Sequence, residues 1–176
     1  MQPCMGLGRG LFGLNDYIPL INEYLEILKD RYGDRLVSLS VFGSVVRGEA
    51  GEGSDVDLLV VIEGLQEDIG SRLREAAEVK RRLKGSEAYK ELSSRGLPIL
   101  VSEVILTPNE VMRHPPILLD VAEEGVTIYD KGGFLEGELS KLKQRLKELG
   151  AKRVRGRHGW YWMLKPDIRF GEVLEV

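Results

Sequence analysis

Five consecutive apolar residues, 58–62, follow directly on the alternating segment Asp55-Val56-Asp57. The nearly continuous apolar stretch that results, residues 56–62, is typical of a strand buried in the middle of a sheet. Such a strand needs hydrogen-bonding neighbours at both edges and apolar cover on both faces. We therefore expect a layered protein in which helices enclose a sheet.

The spacing of apolar residues predicts further strands and helices on both sides of this segment. Alternating stretches rich in Val, Ile and Leu predict strands at residues 36–42, 99–106 and 126–129. Helical spacing predicts helices at residues 16–32, 65–84, 86–94, 117–124 and 135–149, and a capping-box pattern at residues 107–110 predicts one more helix start. This order predicts an α/β (α+β) fold, with a mixed sheet flanked by helices.

Size and composition predict one globular domain. The chain has 176 residues, 43% of them hydrophobic and 30% charged, with a net charge of only -3, which excludes a disordered protein. We expect a flexible N-terminal segment at residues 1–14 and a catalytic-type core at residues 15–130. Residues 131–176 are predicted to be a C-terminal helix and a basic, aromatic extension packed on the same domain.

The length of the apolar runs indicates the cellular location, and the content of Asn and Gln indicates the working temperature. No run approaches the ~20 residues of a membrane-spanning helix, so we expect a cytoplasmic protein without membrane contact. Asn and Gln total six residues against 53 charged ones, a bias that is common in heat-adapted proteins. A thermophilic source is therefore expected.

Two aspartates at the start of the buried strand form the clearest candidate metal site. Because side chains alternate along a strand, Asp55 and Asp57 point to one face and Val56 to the other. Two carboxylates on one face repel each other unless a cation joins them. Mg²⁺ takes oxygen ligands and is commonly completed by substrate phosphates, so it is the expected metal.

The residues before and after this strand extend the candidate site. Gly43 allows close backbone approach to a ligand, and Ser44 offers a hydroxyl and backbone amides at the expected start of a short helix, which together predict phosphate binding. Arg47 is a further candidate for phosphate binding or for a pair with Glu49. Glu103, in the third strand, is expected on the same face as the aspartates, as a metal ligand or as the base for an attacking hydroxyl.

Gly43-Ser44, ten intervening residues and Asp55-x-Asp57 resemble the signature of the minimal nucleotidyltransferases of the DNA polymerase beta superfamily. The resemblance extends over residues 15–130 and implies a polymerase-beta-like core. It implies that Gly43 and Ser44 bind the phosphates of a nucleoside triphosphate and that Asp55 and Asp57 hold two Mg²⁺ ions. A third carboxylate on a neighbouring strand, here Glu103, would also bind metal and activate the acceptor.

The resemblance implies transfer of a nucleoside monophosphate to a hydroxyl acceptor, with release of pyrophosphate. ATP is the expected donor and AMP the expected group. One alternative is an antitoxin-type binding module that neutralises a small helical toxin partner, either by transferring AMP to it or by masking its active site. Masking alone does not require metal-competent aspartates.

A basic C-terminal segment leaves a third function open. Residues 141–157 carry eight basic residues and one acid, and Trp160, Tyr161 and Trp162 follow. Basic residues beside aromatic ones are typical of nucleic-acid binding, here on a degenerate catalytic core. The preferred interpretation is structural. The basic residues form the solvent-exposed face of a helix, and the aromatic residues form a strand that packs on the core.

Overall fold

The computed structural model describes residues 11–66, 68–157 and 159–168. Most of the predicted N-terminal segment, residues 1–10, lies outside this range. The helices are α1 (Leu14–Tyr32), α2 (Ile69–Gly85), α3 (Glu87–Ser94), α4 (Pro108–Val111), α5 (Ile117–Glu124) and α6 (Phe134–Leu149). The strands are β1 (Leu36–Phe42), β2 (Asp55–Ile62), β3 (Leu100–Leu106), β4 (Val126–Asp130), β5 (Lys152–Gly156) and β6 (Gly159–Met163).

Four strands form the main sheet, in the order β3-β2-β1-β4. Strands β2 and β3 are parallel, whereas β1 is antiparallel to both β2 and β4. The sheet is therefore mixed and has β2 in its interior, as the apolar run predicts. Of the helices in the described part of the chain, none has the length and apolarity needed to cross a bilayer.

The two faces of the sheet bury different halves of β2. Val56, Leu58 and Val60 pack with residues of α1, α2 and α3 in one apolar cluster. Leu59 and Val61 pack with residues of α5 and α6 in a second cluster on the other face. Truncating such a buried side chain to alanine typically costs about 2–5 kcal/mol. The alternation that the sequence predicts for β2 therefore separates two helical layers, and the α/β fold is confirmed.

Local capping signals explain several helix ends. Thr107 Oγ1 accepts a hydrogen bond of 3.2 Å from the Glu110 amide, and Glu110 Oε2 accepts one of 2.7 Å from the Thr107 amide. The predicted capping box therefore forms. Helix α2 begins later than the predicted residue 65 because Asp68 caps it, accepting hydrogen bonds from the amides of Gly70 and Ser71.

The C-terminal part of the chain continues the second apolar cluster. Four leucines of α6 are buried there. The predicted strand at residues 160–163 exists as β6, but it pairs with β5 in a separate two-stranded sheet that the sequence analysis does not anticipate. Trp162 packs against the second cluster, whereas Trp160 is 46% exposed. This hairpin contacts α5, beside the candidate site.

Candidate active site

Asp55 and Asp57 are the first and third residues of β2. Both are half-buried, whereas Val56 between them is only 1% exposed. Because alternate residues of a strand share a face, both carboxylates lie on the side of the sheet that α5 and α6 cover further along. The predicted pairing of these two carboxylates on one face is therefore present.

Gly43 brings the end of β1 against Asp57. Its φ of +78° lies in the left-handed region, which glycine adopts without steric cost. A Cβ atom at this position would lie 2.3 Å from Asp57 Oδ2, well inside van der Waals contact. Position 43 therefore requires glycine for two reasons: the left-handed turn, and the close approach of the backbone to the Asp57 carboxylate.

Ser44 lies in a series of turns over residues 43–48, so the expected short helix is absent from this described segment. The Arg47 amide donates to the Gly43 carbonyl over 3.3 Å, and the Glu49 amide donates to the Ser44 carbonyl over 2.9 Å. Val45 is completely buried and anchors the turns. No described residue hydrogen-bonds to the Ser44 hydroxyl, which leaves that group available to a ligand.

Glu103 does not lie with the aspartates, and the prediction that it shares their face is wrong. In the parallel pairing of β2 and β3, Asp57 is in register with Ser102, and Glu103 is in register with Leu58. Its side chain is 4% exposed and forms an ion pair of 2.8 Å with Lys80 of α2, on the opposite face of the sheet. A metal bound by the aspartates is therefore out of its reach.

Glu124, the last residue of α5, is the carboxylate that the sequence analysis missed. Its Oε1 accepts hydrogen bonds from the Gly43 amide over 3.2 Å and from Arg47 Nη1 over 2.5 Å. Its Oε2 accepts one from Arg153 Nη1 of β5 over 2.5 Å. Glu124 therefore holds together the turn that follows β1, the Arg47 side chain and the C-terminal hairpin.

Electrostatics around Asp57 favour a bound cation. Burial raises the pKa of its carboxyl, and the negative charges of Asp55 and Glu124 raise it further, whereas Arg47 lowers it. The pKa is raised overall, so the protein compensates the Asp57 charge incompletely. A divalent cation between Asp55 and Asp57 would supply the missing positive charge.

Comparison with known proteins identifies the family. The sequence profile of the nucleotidyltransferase domain family matches residues 21–128, more than half of the chain. The chain belongs to the nucleotidyltransferase domain family. The resemblance to nucleotidyltransferases is thereby confirmed, and the protein is a nucleotidyltransferase.

Individual relatives are more distant. A Methanocaldococcus jannaschii protein, provisionally named as a protein adenylyltransferase, is 27% identical over 135 residues, 74% of this chain and 83% of the relative. A toxin-antitoxin crystal structure with AMP-PNP has a TM-score of 0.43 at 16% identity, covering 73% of this chain and 91% of the other. A crystal structure from Sulfolobus solfataricus, provisionally named as a nucleotidyltransferase, has a TM-score of 0.40 at 21% identity, covering 72% of this chain and 94% of the other.

The donor set of this nucleotidyltransferase suits Mg²⁺. Within residues 11–66, 68–157 and 159–168, no three acidic, histidine or cysteine residues cluster as metal ligands. Mg²⁺ is usually held by one or two carboxylates, with water and substrate phosphates completing its shell. Asp55 and Asp57 match that requirement without a third protein ligand.

The C-terminal hairpin lies beyond residue 128, where the nucleotidyltransferase match ends. Arg153 joins it to α5 through Glu124 and through a contact of 3.3 Å between its Nη2 and Asp120 Oδ1. Trp162 Nε1 donates a hydrogen bond of 3.1 Å to the same Asp120 oxygen. One of the basic residues considered for nucleic-acid binding is therefore committed to contacts within the protein.

Proposed function

We propose that this nucleotidyltransferase transfers AMP from ATP to a hydroxyl group of a protein acceptor, with Mg²⁺ bound at Asp55 and Asp57. The observation that carries the proposal is the pair of half-buried aspartates on one face of β2, with the backbone turned against Asp57 at Gly43. The name of the M. jannaschii relative supports AMP as the group and a protein as the acceptor.

The proposed reaction is an in-line displacement at phosphorus. The acceptor oxygen forms a bond to the α-phosphorus as the bond from that phosphorus to the α,β-bridging oxygen breaks. Pyrophosphate leaves with the electron pair, and the hydroxyl proton is released to solvent. Two Mg²⁺ ions bound together with the triphosphate would supply charge stabilisation for the attacking and leaving oxygens.

The residues of the chain divide the remaining tasks between them. Asp55 and Asp57 provide the carboxylates that hold metal. The Ser44 hydroxyl binds phosphate oxygens, together with the backbone amides of the turn that donate to no other described residue. Arg47 belongs to this turn, pairs with Glu49 over 2.7 Å and with Glu124 over 2.5 Å, and adds positive charge to the phosphate site.

Transfer of label from α-phosphate-labelled ATP tests the proposal. Wild-type protein, Mg²⁺ and a lysate of the source cells should give a labelled band, which protease removes and ribonuclease does not. An Asp55→Asn/Asp57→Asn variant should give no label. An Asp30→Asn/Asp34→Asn variant is the matched control, because these aspartates are exposed. They also lie toward the other end of the sheet, where Leu36 pairs with Ile62.

The outcomes separate the competing functions. Equal label with the wild type and the Asp55→Asn/Asp57→Asn variant would refute the proposed site. Ribonuclease-sensitive label would point to an RNA acceptor. If the wild type and the Asp55→Asn/Asp57→Asn variant neutralise a toxic partner protein equally well, and neither transfers label to it, the protein is a masking module.

A further inference from the structure

The C-terminal hairpin has one face that combines arginine and tryptophan. In its antiparallel pairing, Arg153 is opposite Trp162 and Arg155 is opposite Trp160. Because directly paired residues share a face, as do alternate residues of one strand, these four side chains lie on the same side of the hairpin. Lys152 and Tyr161 lie on the other side.

The two ends of this face have different surroundings. Arg153 and Trp162 are fixed to Asp120 of α5, and Arg153 also pairs with Glu124. Nearer the tip of the hairpin, Arg155 is exposed and lies over the Trp160 ring, 5.6 Å from its centroid. Arg153 also lies over the Trp160 ring, 5.1 Å from its centroid, so the inner end anchors the hairpin to α5 and supports the aromatic ring of the outer end.

The arginine-bearing face of the hairpin is linked to the phosphate-binding turn through Glu124. Arg153, two residues before Arg155 and on the same face, donates to Glu124 Oε2, while Glu124 Oε1 accepts from Arg47 Nη1 and from the Gly43 amide. Gly43 and Arg47 both belong to this turn, and Gly43 lies directly against the Asp57 carboxylate. The arginines of the hairpin and the aspartates of the metal site therefore border one region.

Arg155 differs from the other two arginines in its lack of a carboxylate partner. Arg47 is paired with Glu49 and Glu124, and Arg153 with Glu124 and Asp120. Across residues 11–66, 68–157 and 159–168, no carboxylate pairs with Arg155, which makes only its ring contact with Trp160. An unpaired guanidinium beside a phosphate site has charge and donors to offer to an anion.

We infer that Arg155, supported by the Trp160 ring, binds the triphosphate of the nucleotide, so that the C-terminal hairpin forms one wall of the nucleotide site. The inference rests on the proposed function. A planar guanidinium recognises phosphate by two parallel hydrogen bonds. An aromatic ring beneath it restricts its orientation before binding, so less conformational entropy is lost when phosphate binds. The anchor at Arg153 and Trp162 holds this wall in place.

Direct measurement of nucleotide affinity tests the inference. The probe is an ATP analogue with a methylene group between the α- and β-phosphates, titrated with Mg²⁺ into the full chain by calorimetry. Losing one charge-assisted contact should raise the Kd of Arg155→Ala by about tenfold. Lys152→Ala is the matched control, because it removes an exposed cation from the opposite face of the same strand. Its Kd should equal that of the wild type.

Tryptophan emission provides a second readout. Both tryptophans of the chain, Trp160 and Trp162, lie in this hairpin. Binding of the analogue should change the emission of the wild type. Trp160→Phe should abolish that change while Trp162 still emits.

The results distinguish this inference from the function on which it rests. No binding of the analogue by the wild type would sink both. Tight binding by the wild type with an unchanged Kd for Arg155→Ala would overturn the hairpin inference alone. An unchanged Kd combined with slower AMP transfer would assign Arg155 to the acceptor, and would likewise overturn it.

Discussion

The two faces of the β2–β3 pair carry acidic residues in opposite electrostatic states. On one face, Asp55 and Asp57 are half-buried, and within the described residues neither forms an ion pair. On the other, Glu103 is 4% exposed and pairs with Lys80 over 2.8 Å. The protein pairs Glu103 with its own lysine, whereas we propose that the aspartates take their positive charge from a cation in solution. Burial with an ion pair therefore indicates a structural carboxylate, whereas the unpaired aspartates support the proposed metal site.

Replacing Asp57 should have the largest effect on activity. Asp57→Asn removes a proposed metal ligand, and metal stabilisation of a transition state is worth several kcal/mol, so transfer should fall about a thousandfold or more. Stability should not fall. Because the pKa of Asp57 is raised in the folded protein, its ionised form disfavours folding at every pH above that pKa.

Label transfer and urea unfolding in EDTA check both parts of this prediction. Asp57→Asn should unfold at the same urea concentration as the wild type or at a higher one. An Asp57→Asn variant that keeps its activity, or that loses several kcal/mol of stability, would contradict the distinction between a ligand-binding face and a structural face of the sheet.

Replacing Gly43 should have the second largest effect. The Cβ of Gly43→Ala would meet Asp57 Oδ2 at 2.3 Å and displace the carboxylate. A misplacement of about 1 Å at a reacting centre can cost about a hundredfold in rate. The left-handed φ of +78° adds about 1–2 kcal/mol of strain for any residue other than glycine.

Gly53→Ala is the matched control for this substitution. Gly53 has a similar φ of +85°, but a Cβ there meets nothing within 4 Å. Both variants should lose similar stability in urea unfolding, and only Gly43→Ala should lose transfer. Equal losses of transfer would show that backbone strain, rather than contact with Asp57, determines the requirement for glycine.

Features encoded within one short segment were predictable from the sequence. The bounds of β1 and the face shared by Asp55 and Asp57 follow from alternation, which depends only on neighbouring residues. The capping box at Thr107 is equally local. For the same reason Gly43 could be recognised, since the turn that needs it directly follows a strand.

Features that depend on pairing between distant segments were not predictable. Because side chains alternate along a strand, Glu103 and Ser102 point to opposite faces of the sheet. Only the register between β2 and β3 decides which of the two shares the face of Asp57. A shift of one residue in register exchanges the faces. Glu124 is 81 residues from Gly43, and nothing local distinguishes it from other glutamates at helix ends. Strand β5, with Arg153, is equally hidden because charged residues dominate it.

Glu124 should affect activity and stability together, at an intermediate level. Glu124→Gln weakens an exposed contact with Arg47, a partly buried contact with Arg153 and the hydrogen bond from the Gly43 amide. Hydrogen bonds to charged groups contribute about 2 kcal/mol each. We therefore expect the free energy of unfolding to fall by about 2 kcal/mol and the rate of transfer to fall about tenfold. Glu123→Gln, an exposed neighbour, should change neither quantity. Full activity in a destabilised Glu124→Gln variant would make this residue purely structural.

Glu103 should have the smallest effect on activity, and this prediction tests the two-face comparison most directly. Glu103→Gln removes the charge that pairs with Lys80, whose side chain is 37% exposed and can turn to water. Solvent screening reduces the value of this pair, so unfolding should become easier by only about 1 kcal/mol. Transfer should remain at the wild-type rate, because the register directs Glu103 away from Asp57.

The same variant can also contradict that comparison. If Glu103→Gln keeps its urea midpoint yet loses transfer as Asp57→Asn does, Glu103 acts in the chemistry, and β3 must adopt a different register in the working enzyme. A one-residue shift would expose Glu103 on the aspartate face and break its pair with Lys80. Binding of Mg²⁺ and nucleotide would then have to supply at least the free energy that the pair contributes, and Glu103→Gln would weaken the dependence of transfer on Mg²⁺ concentration. Unchanged transfer with an unchanged Mg²⁺ dependence leaves metal binding to Asp55 and Asp57.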